Sequence, residues 1–239
     1  MAINAREAKG GGKSQEPIDP GSYPARLVQI VDFGLQPQSY NGETKAPQQE
    51  ISTTYELLDE FMKDEDGNDM EDKPRWVSET FALHNIAADR AKSTQRYYAL
   101  DPKEAFEGDW QKLLGTPCIV TIVNKPGSGA NKNKIYSNIA AVSAMRPREA
   151  ATAVELKNDM RFFDQTDTSE ANLDLFNQFP DWIKKKIKEG LEFEGSDFAE
   201  ALTTYKPKDK DAKKDDKKPA QKQREPVEED DEQEDGINF

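Results

Sequence analysis

The stretch "EISTTYELLD", residues 50–59, alternates between side chains suited to a core and side chains suited to solvent. One side of the extended chain carries Ile51, Thr53, Tyr55 and Leu57. The other side carries Ser52, Thr54 and Glu56. A period of two is typical of a β-strand with one buried face. We therefore predict a strand here whose second face meets solvent.

Two further strands flank this one. "YPARLVQIVDFG", residues 23–34, is short, apolar and closed by Gly34, which favours a strand. Residues 35–49 contain two prolines and an Asn-Gly pair and predict a loop. After a polar connection at residues 60–74, "RWVSETFAL" predicts a third strand with Val77 and Phe81 on one face and Trp76 on the other.

The order of the remaining elements suggests a fold. "LDPKEAFEGDWQKLLG", residues 100–115, predicts a helix with Asp101 as N-cap, Pro102 at its first position and Gly115 as its stop. Residues 117–125 and 134–145 predict two strands around the Gly/Asn loop "PGSGANKN". The resulting order, β-β-β-α-β-β, predicts a mainly β protein with a five-stranded OB-fold barrel, an architecture that holds oligonucleotides or oligosaccharides.

We divide the chain into four parts. Residues 1–20 predict a flexible N-terminal arm, and residues 21–149 an OB-fold nucleic-acid-binding domain. Residues 150–205 predict a helical extension with N-caps at Ser169 and Ser196, which either packs on the barrel or forms a separate arm. Residues 206–239 predict a disordered tail with an acidic tip that ends in Phe.

Charge is distributed unevenly along the chain. The net charge is -13, and residues 225–239 contribute eight acidic residues and no Lys or Arg. Residues 206–224 hold nine basic and four acidic residues. A second acidic concentration lies in residues 56–72, so the remainder of the barrel can present a basic face.

The sequence lacks the usual signatures of catalysis, metal binding and export. Cys118 and His84 are the only residues of their kinds, which excludes an internal disulfide and a Cys/His zinc site. "GGGKS" lacks the first glycine of a phosphate-binding loop, and "DEDGNDMED" misplaces the glycine of a calcium loop. We predict a non-enzymatic protein without a cofactor, soluble and cytoplasmic, because no signal peptide or membrane span is visible.

Basic and aromatic residues concentrate where an OB-fold binds nucleic acid, on strands two and three and in the loops after strands one and four. The candidates are Tyr40, Lys45, Arg75, Trp76, Lys125, Lys132, Lys134 and Tyr136. In the alternative interpretation, the aromatic residues cap the core and the lysines keep a loop soluble. Tyr97 and Tyr98 form a second basic and aromatic patch with Arg90, Lys92 and Arg96, although one of two adjacent tyrosines is usually buried.

These features resemble the single-stranded DNA-binding proteins encoded by bacteriophages. The resemblance is carried by "GSYPARLVQIVDFGLQ", "TYELLDEF", "KPRWVSE" and the terminal "DGINF". It implies a barrel that binds single strands without sequence preference. It also implies an acidic tip, here Asp235, Ile237 and Phe239, that recruits replication proteins such as a polymerase or helicase. A phage-encoded protein of this kind would act in the host cell cytoplasm.

Three functions remain open at this level. We expect a single-stranded DNA-binding protein that protects exposed strands in replication or recombination. The first alternative is a protein-interaction adaptor whose barrel carries no nucleic acid, and the second is an RNA-binding protein.

Overall fold

The computed structural model describes residues 16–40 and 42–206. Most of the expected N-terminal arm and nearly all of the expected tail lie outside these residues. The proposed partner-binding residues Asp235, Ile237 and Phe239 lie outside them as well. No helix in the described part of the chain is long and apolar enough to cross a membrane.

The fold is mainly β, as the sequence predicted. The strands are β1 (Gly21–Tyr40), β2 (Glu43–Lys63), β3 (Asp69–Ala82), β4 (Pro117–Pro126), β5 (Ile135–Ala144) and β6 (Arg161–Phe163). The first five form antiparallel neighbours in the order β3-β2-β1-β4-β5, while β6 pairs in parallel with β1. Within residues 16–40 and 42–206, no ladder joins β3 to β5, so the sheet is open.

The predicted number of five strands was one too few. Near its start β1 pairs with β4, from Gly21 opposite Ile122 to Arg26 opposite Pro117. Beyond that point β1 diverges from β4, and its residues 29–31 pair instead with β6. The short β6 lies in the segment predicted to be helical, and it occupies the edge of β1 that β4 leaves.

Two predicted connections are strands in the structure. The ladder between β1 and β2 continues through residues 35–49 to the pair Tyr40 and Glu43, and Gly42 in the turn has a φ of +80°. The ladder between β2 and β3 continues similarly to Lys63 and Asp69. Toward their turns these hairpins are largely exposed on both faces, so their sequences lack an alternating apolar pattern.

The helix between β3 and β4 exists, but it lies earlier than predicted. Helix α1 spans Lys92–Leu100, and Asp101 follows its end instead of capping its start. The Asp101 carboxylate accepts hydrogen bonds from the backbone N–H groups of Ala105 and Phe106 in a non-helical turn. Pro102 disfavours helical backbone at Asp101, which explains why the same residues end one helix without starting another.

Helices follow β5, and most of them pack on the sheet. They are α2 (Pro147–Ala150), α3 (Glu170–Gln178), α4 (Asp181–Lys188) and α5 (Asp197–Thr204). The predicted N-caps are confirmed, because Ser169 accepts from the N–H of Asn172 and Ser196 from that of Ala199. The extension therefore packs on the sheet and does not form a separate arm.

The protein contains two apolar clusters. One lies inside the curved sheet and includes Leu27, Tyr55 and Val120, together with Tyr97 from α1. The second lies outside β1 and joins its Val31 and Phe33 to the side chains of the C-terminal helices and β6. These partners are Phe163, Leu173, Phe176, Phe179, Ile183, Ile187 and Phe198. The strand β1 is consequently buried on both faces, which fixes residues 161–205 against the sheet.

Candidate nucleic-acid interface

Four of the predicted site residues come together on the β4–β5 hairpin. Lys125 pairs directly with Tyr136 across the two strands, and Lys132 and Lys134 lie exposed in the connection between them. Residues 125–136 contain three lysines and no acidic residue. The hairpin thus presents a compact basic surface with one aromatic ring, the combination that binds phosphates and stacks bases.

Gly127 determines the shape of this hairpin. A Cβ atom at this position would lie 2.6 Å from both the Asn131 carbonyl oxygen and Cε2 of Tyr136. The Gly127 N–H donates to the Lys134 carbonyl at 2.8 Å, and a 3₁₀ turn at Gly129–Asn131 completes the connection. The Tyr136 ring therefore packs against the glycine backbone, which positions it beside the lysines.

Arg75 and Trp76 begin the inner part of β3 but face opposite sides of the sheet, as neighbours in a strand must. The Arg75 guanidinium donates to the carbonyl of Glu16 at 2.6 Å. Two residues after Glu16, the N–H of Ile18 donates to Ser137 Oγ of β5 at 2.8 Å. The segment at residues 16–18 thereby spans the open side of the sheet between β3 and β5 and places Arg75 toward the side of β5.

Trp76 faces the outer side and already has protein neighbours there. Its indole N–H donates to Glu56 Oε2 at 3.1 Å, and the Arg161 guanidinium carbon lies 5.6 Å from the ring centroid. The ring is half-buried. Trp76 therefore combines a structural hydrogen bond with a partly accessible aromatic surface, and its role in stacking stays a prediction.

Glu56 contradicts the expectation that the second face of β2 meets solvent. Its side chain is fully buried, and its two oxygens also accept from the backbone N–H of Lys157 and the Asn158 side chain, each at 2.6 Å. Ser52 and Thr54 on the same face are buried as well. The segment that covers Glu56 lies about a hundred residues later in the sequence, so the local alternation of β2 carried no signal for it.

Arg26 fixes the same covering segment at a second point. Its guanidinium donates to the carbonyls of Val154, Ala153 and Gly115 and to the Glu155 carboxylate, at distances from 2.8 to 3.2 Å. We call residues 153–161 the strap. The sequence predicted no role for Arg26, because an arginine within an apolar strand gives no indication of its partners.

Tyr40 and Lys45 lie at the opposite end of the sheet from the β4–β5 hairpin. Tyr40 pairs with Glu43 at the turn between β1 and β2, and the exposed Lys45 ammonium lies 3.1 Å from the Glu43 carboxylate. The β4–β5 hairpin instead extends beyond the start of β1 at Gly21. The structure thus brings four of the eight candidates together and leaves the other four at separate places on the sheet.

An acidic hairpin projects from the same end as the basic one. Residues 59–73, in the β2–β3 hairpin, contain eight acidic residues and two lysines. At its turn, Asp64 accepts from the backbone N–H groups of Asn68 and Asp66, and these hydrogen bonds lower the pKa of its carboxyl. The carboxylate is thus used to shape the turn.

Across the part of the chain that the structure describes, no group of His, Cys, Asp or Glu side chains could hold a metal ion.

The second predicted patch is largely internal. Tyr97 is buried, and Arg96 forms a buried ion pair with Glu79 in which Nε lies 2.7 Å from Oε1. Lys92 approaches the same carboxylate at 3.3 Å. One of the two adjacent tyrosines is therefore buried, as expected, and two basic residues of the patch are paired with Glu79, whereas Arg90 is exposed. Cys118 is also buried, and burial raises the pKa of its thiol to about 12, so it remains protonated.

Comparison with known proteins gives no further identification: the chain matches no protein-family model, no curated protein and no solved structure.

Proposed function

We propose that this chain is an OB-type single-stranded DNA-binding protein that coats exposed strands during replication or recombination. It binds without sequence preference, because its contacts are ammonium groups for phosphates and aromatic rings for bases. Its strand order, with a helix between β3 and β4 and an open side between β3 and β5, fits a partly open Greek-key barrel.

The observation that carries this proposal is the β4–β5 hairpin. Lys125, Lys132, Lys134 and Tyr136 converge on it, and no acidic residue interrupts them. In an OB-fold this hairpin borders the face of strands two and three that holds the ligand. The acidic β2–β3 hairpin at the same end repels phosphates, so the bound DNA follows the basic hairpin to the edge strand β3, which carries Arg75 on one face and Trp76 on the other.

The tail supplies the second half of the function. Its acidic tip is attracted to basic pockets on replication proteins, where Ile237 and Phe239 provide apolar anchors and Asp235 adds charge. The same acidic peptide competes with DNA for the basic hairpin and is displaced when DNA binds. DNA binding and partner recruitment are then coupled in one molecule.

The direct test is a titration of tryptophan fluorescence with oligo-dT at two salt concentrations, using the full chain and a Trp76→Phe variant. We expect quenching that weakens as salt rises, with a smaller amplitude in the variant, and an occluded length of about 4–16 nucleotides. Absence of binding in both fluorescence and gel-shift assays would favour the adaptor function. If oligo-U displaced oligo-dT when both were present at equal concentration, the RNA-binding function would be favoured.

A further inference from the structure

A cavity of about 220 Å³ lies between the end of β3, the start of α1 and the turn that follows α1. Its lining includes His84, Ile86, Ser93, Thr94, Tyr97 and Trp110. Pockets for drug-sized ligands occupy about 300–1,000 Å³. This cavity is therefore suited to a single ring system.

The aromatic wall of the cavity is held firmly. The Tyr97 hydroxyl accepts from the Gly108 N–H at 2.8 Å and donates to Asp101 at 3.2 Å. The Trp110 ring packs edge-on against Tyr97, with centroids 5.6 Å apart, and lies tilted against Phe81, with centroids 5.8 Å apart. A wall fixed by these contacts is preorganised, which lowers the entropic cost of ordering it when a ligand binds.

Polar groups at the cavity retain unused hydrogen-bonding capacity. The Ser93 oxygen accepts from the backbone N–H of His84 at 3.0 Å, which leaves its own proton available. His84 Nδ1 lies 3.1 Å from the Ala82 carbonyl oxygen, which leaves Nε2 of the same ring for a hydrogen bond to a ligand. Apolar walls with a few donors and acceptors match a flat heteroaromatic ring with a polar edge.

We propose that this cavity binds one unstacked nucleobase of the bound strand. The base stacks on the half-buried Trp110 ring of this wall, and its edge forms hydrogen bonds with Ser93 or His84. Arg90, exposed in the turn before α1, is available for the adjoining phosphate. This inference rests on the proposed function and adds to it a specific site for a base, away from the basic hairpin.

The position of the cavity explains why it extends the interface. It adjoins Ala82 at the end of β3, and Ala82 pairs with Glu50 near the base of the β1–β2 hairpin. The β4–β5 hairpin leaves the sheet from the other end. A DNA strand that starts at the basic hairpin and crosses the β-sheet therefore has its far end at the cavity.

The test uses His84, the only histidine of the chain, as a reporter. In full-length protein with labelled histidine, a proton–carbon correlation spectrum contains one imidazole Hε1 signal. We expect oligo-dT to shift this signal, whereas an abasic oligonucleotide of the same length binds the basic hairpin without shifting it. Ile86→Trp, which fills the cavity, should abolish the shift while gel-shift affinity falls by less than about tenfold.

The outcomes separate the two proposals. If gel shifts show bound oligo-dT but the His84 signal stays in place, or if the abasic strand shifts it equally, the base site is wrong and the DNA-binding function stands. If no oligonucleotide binds in the gel shift, both proposals are wrong. Should Ile86→Trp fail to fold, the comparison of oligo-dT with the abasic strand on the unmodified protein decides the matter.

Discussion

The indole N–H of Trp76 and the backbone N–H of Lys157 donate to opposite oxygens of one buried carboxylate, that of Glu56. This arrangement links β2, β3 and the strap through a single side chain. It places a residue predicted to stack on DNA next to a segment from the C-terminal part of the chain. The outer face of the sheet is therefore shaped by the strap as well as by the strands.

Glu56→Ala should lower the free energy of unfolding by about 3 kcal/mol, because it leaves the donors on Trp76, Lys157 and Asn158 without their buried acceptor. Urea denaturation followed by circular dichroism measures this change. The matched control is Glu155→Ala. Glu155 pairs with Arg26 at 3.2 Å, but its side chain is 87% exposed, so the expected loss is under about 1 kcal/mol. Equal effects of the two substitutions would contradict the role of Glu56.

Substitutions at Trp76 separate its structural role from stacking. Trp76→Phe keeps a ring but removes the hydrogen bond to Glu56, so we expect a stability loss of about 1 kcal/mol and oligo-dT affinity within about threefold. Trp76→Leu removes the ring and should weaken DNA binding by roughly 5- to 150-fold, which corresponds to about 1–3 kcal/mol for one stacked base. Unchanged affinity in Trp76→Leu would mean that the indole serves only the strap.

The buried ion pair of Glu79 and Arg96 should be sensitive to removal of either partner. Both side chains are less than 10% exposed. Arg96→Met leaves the Glu79 carboxylate buried with Lys92 alone and should cost about 3–5 kcal/mol. The double variant Glu79→Leu/Arg96→Met should recover much of this loss. Strictly additive losses in urea denaturation would show that the two groups act independently.

Tail deletions distinguish recruitment from competition with DNA. Removal of residues 236–239 should abolish partner capture and leave oligo-dT affinity nearly unchanged, because it removes Ile237 and Phe239 but no charged side chain. Removal of residues 225–239 takes away eight acidic residues and should tighten DNA binding at low salt. Weaker DNA binding after the longer deletion would exclude the tail as a competitor of DNA.

Sequence patterns were sufficient for the class of fold and the order of its first elements. Alternation in β2 and the turn signals around β4 and β5 are local, and these strands lie where they were predicted. The helix was misplaced because Asp101 followed by Pro102 has the same local signature whether it starts a helix or closes a turn. The projecting hairpins were missed because strands exposed on both faces need no alternating pattern.

The candidate site was predictable only where it is local in sequence. Lys125, Lys132, Lys134 and Tyr136 fall within twelve consecutive residues, so one hairpin brings them together. Glu56, by contrast, depends on partners 101 and 102 residues away. Contacts with such distant residues do not affect the alternation of side chains along β2. The sequence therefore wrongly predicted that the second face of β2 meets solvent.

The most direct test of the central claim compares the salt dependence of oligo-dT binding in two triple variants. One carries Gln at Lys125, Lys132 and Lys134 on the β4–β5 hairpin, and the other carries Gln at Lys184, Lys185 and Lys188 on α4. Both lose the same charge. The account predicts that the slope of log K against log salt falls by about 2 in the hairpin variant, at about 0.7 per phosphate contact on single strands. It predicts little change in the α4 variant. Equal slopes in the two variants would contradict the claim that the hairpin holds the strand.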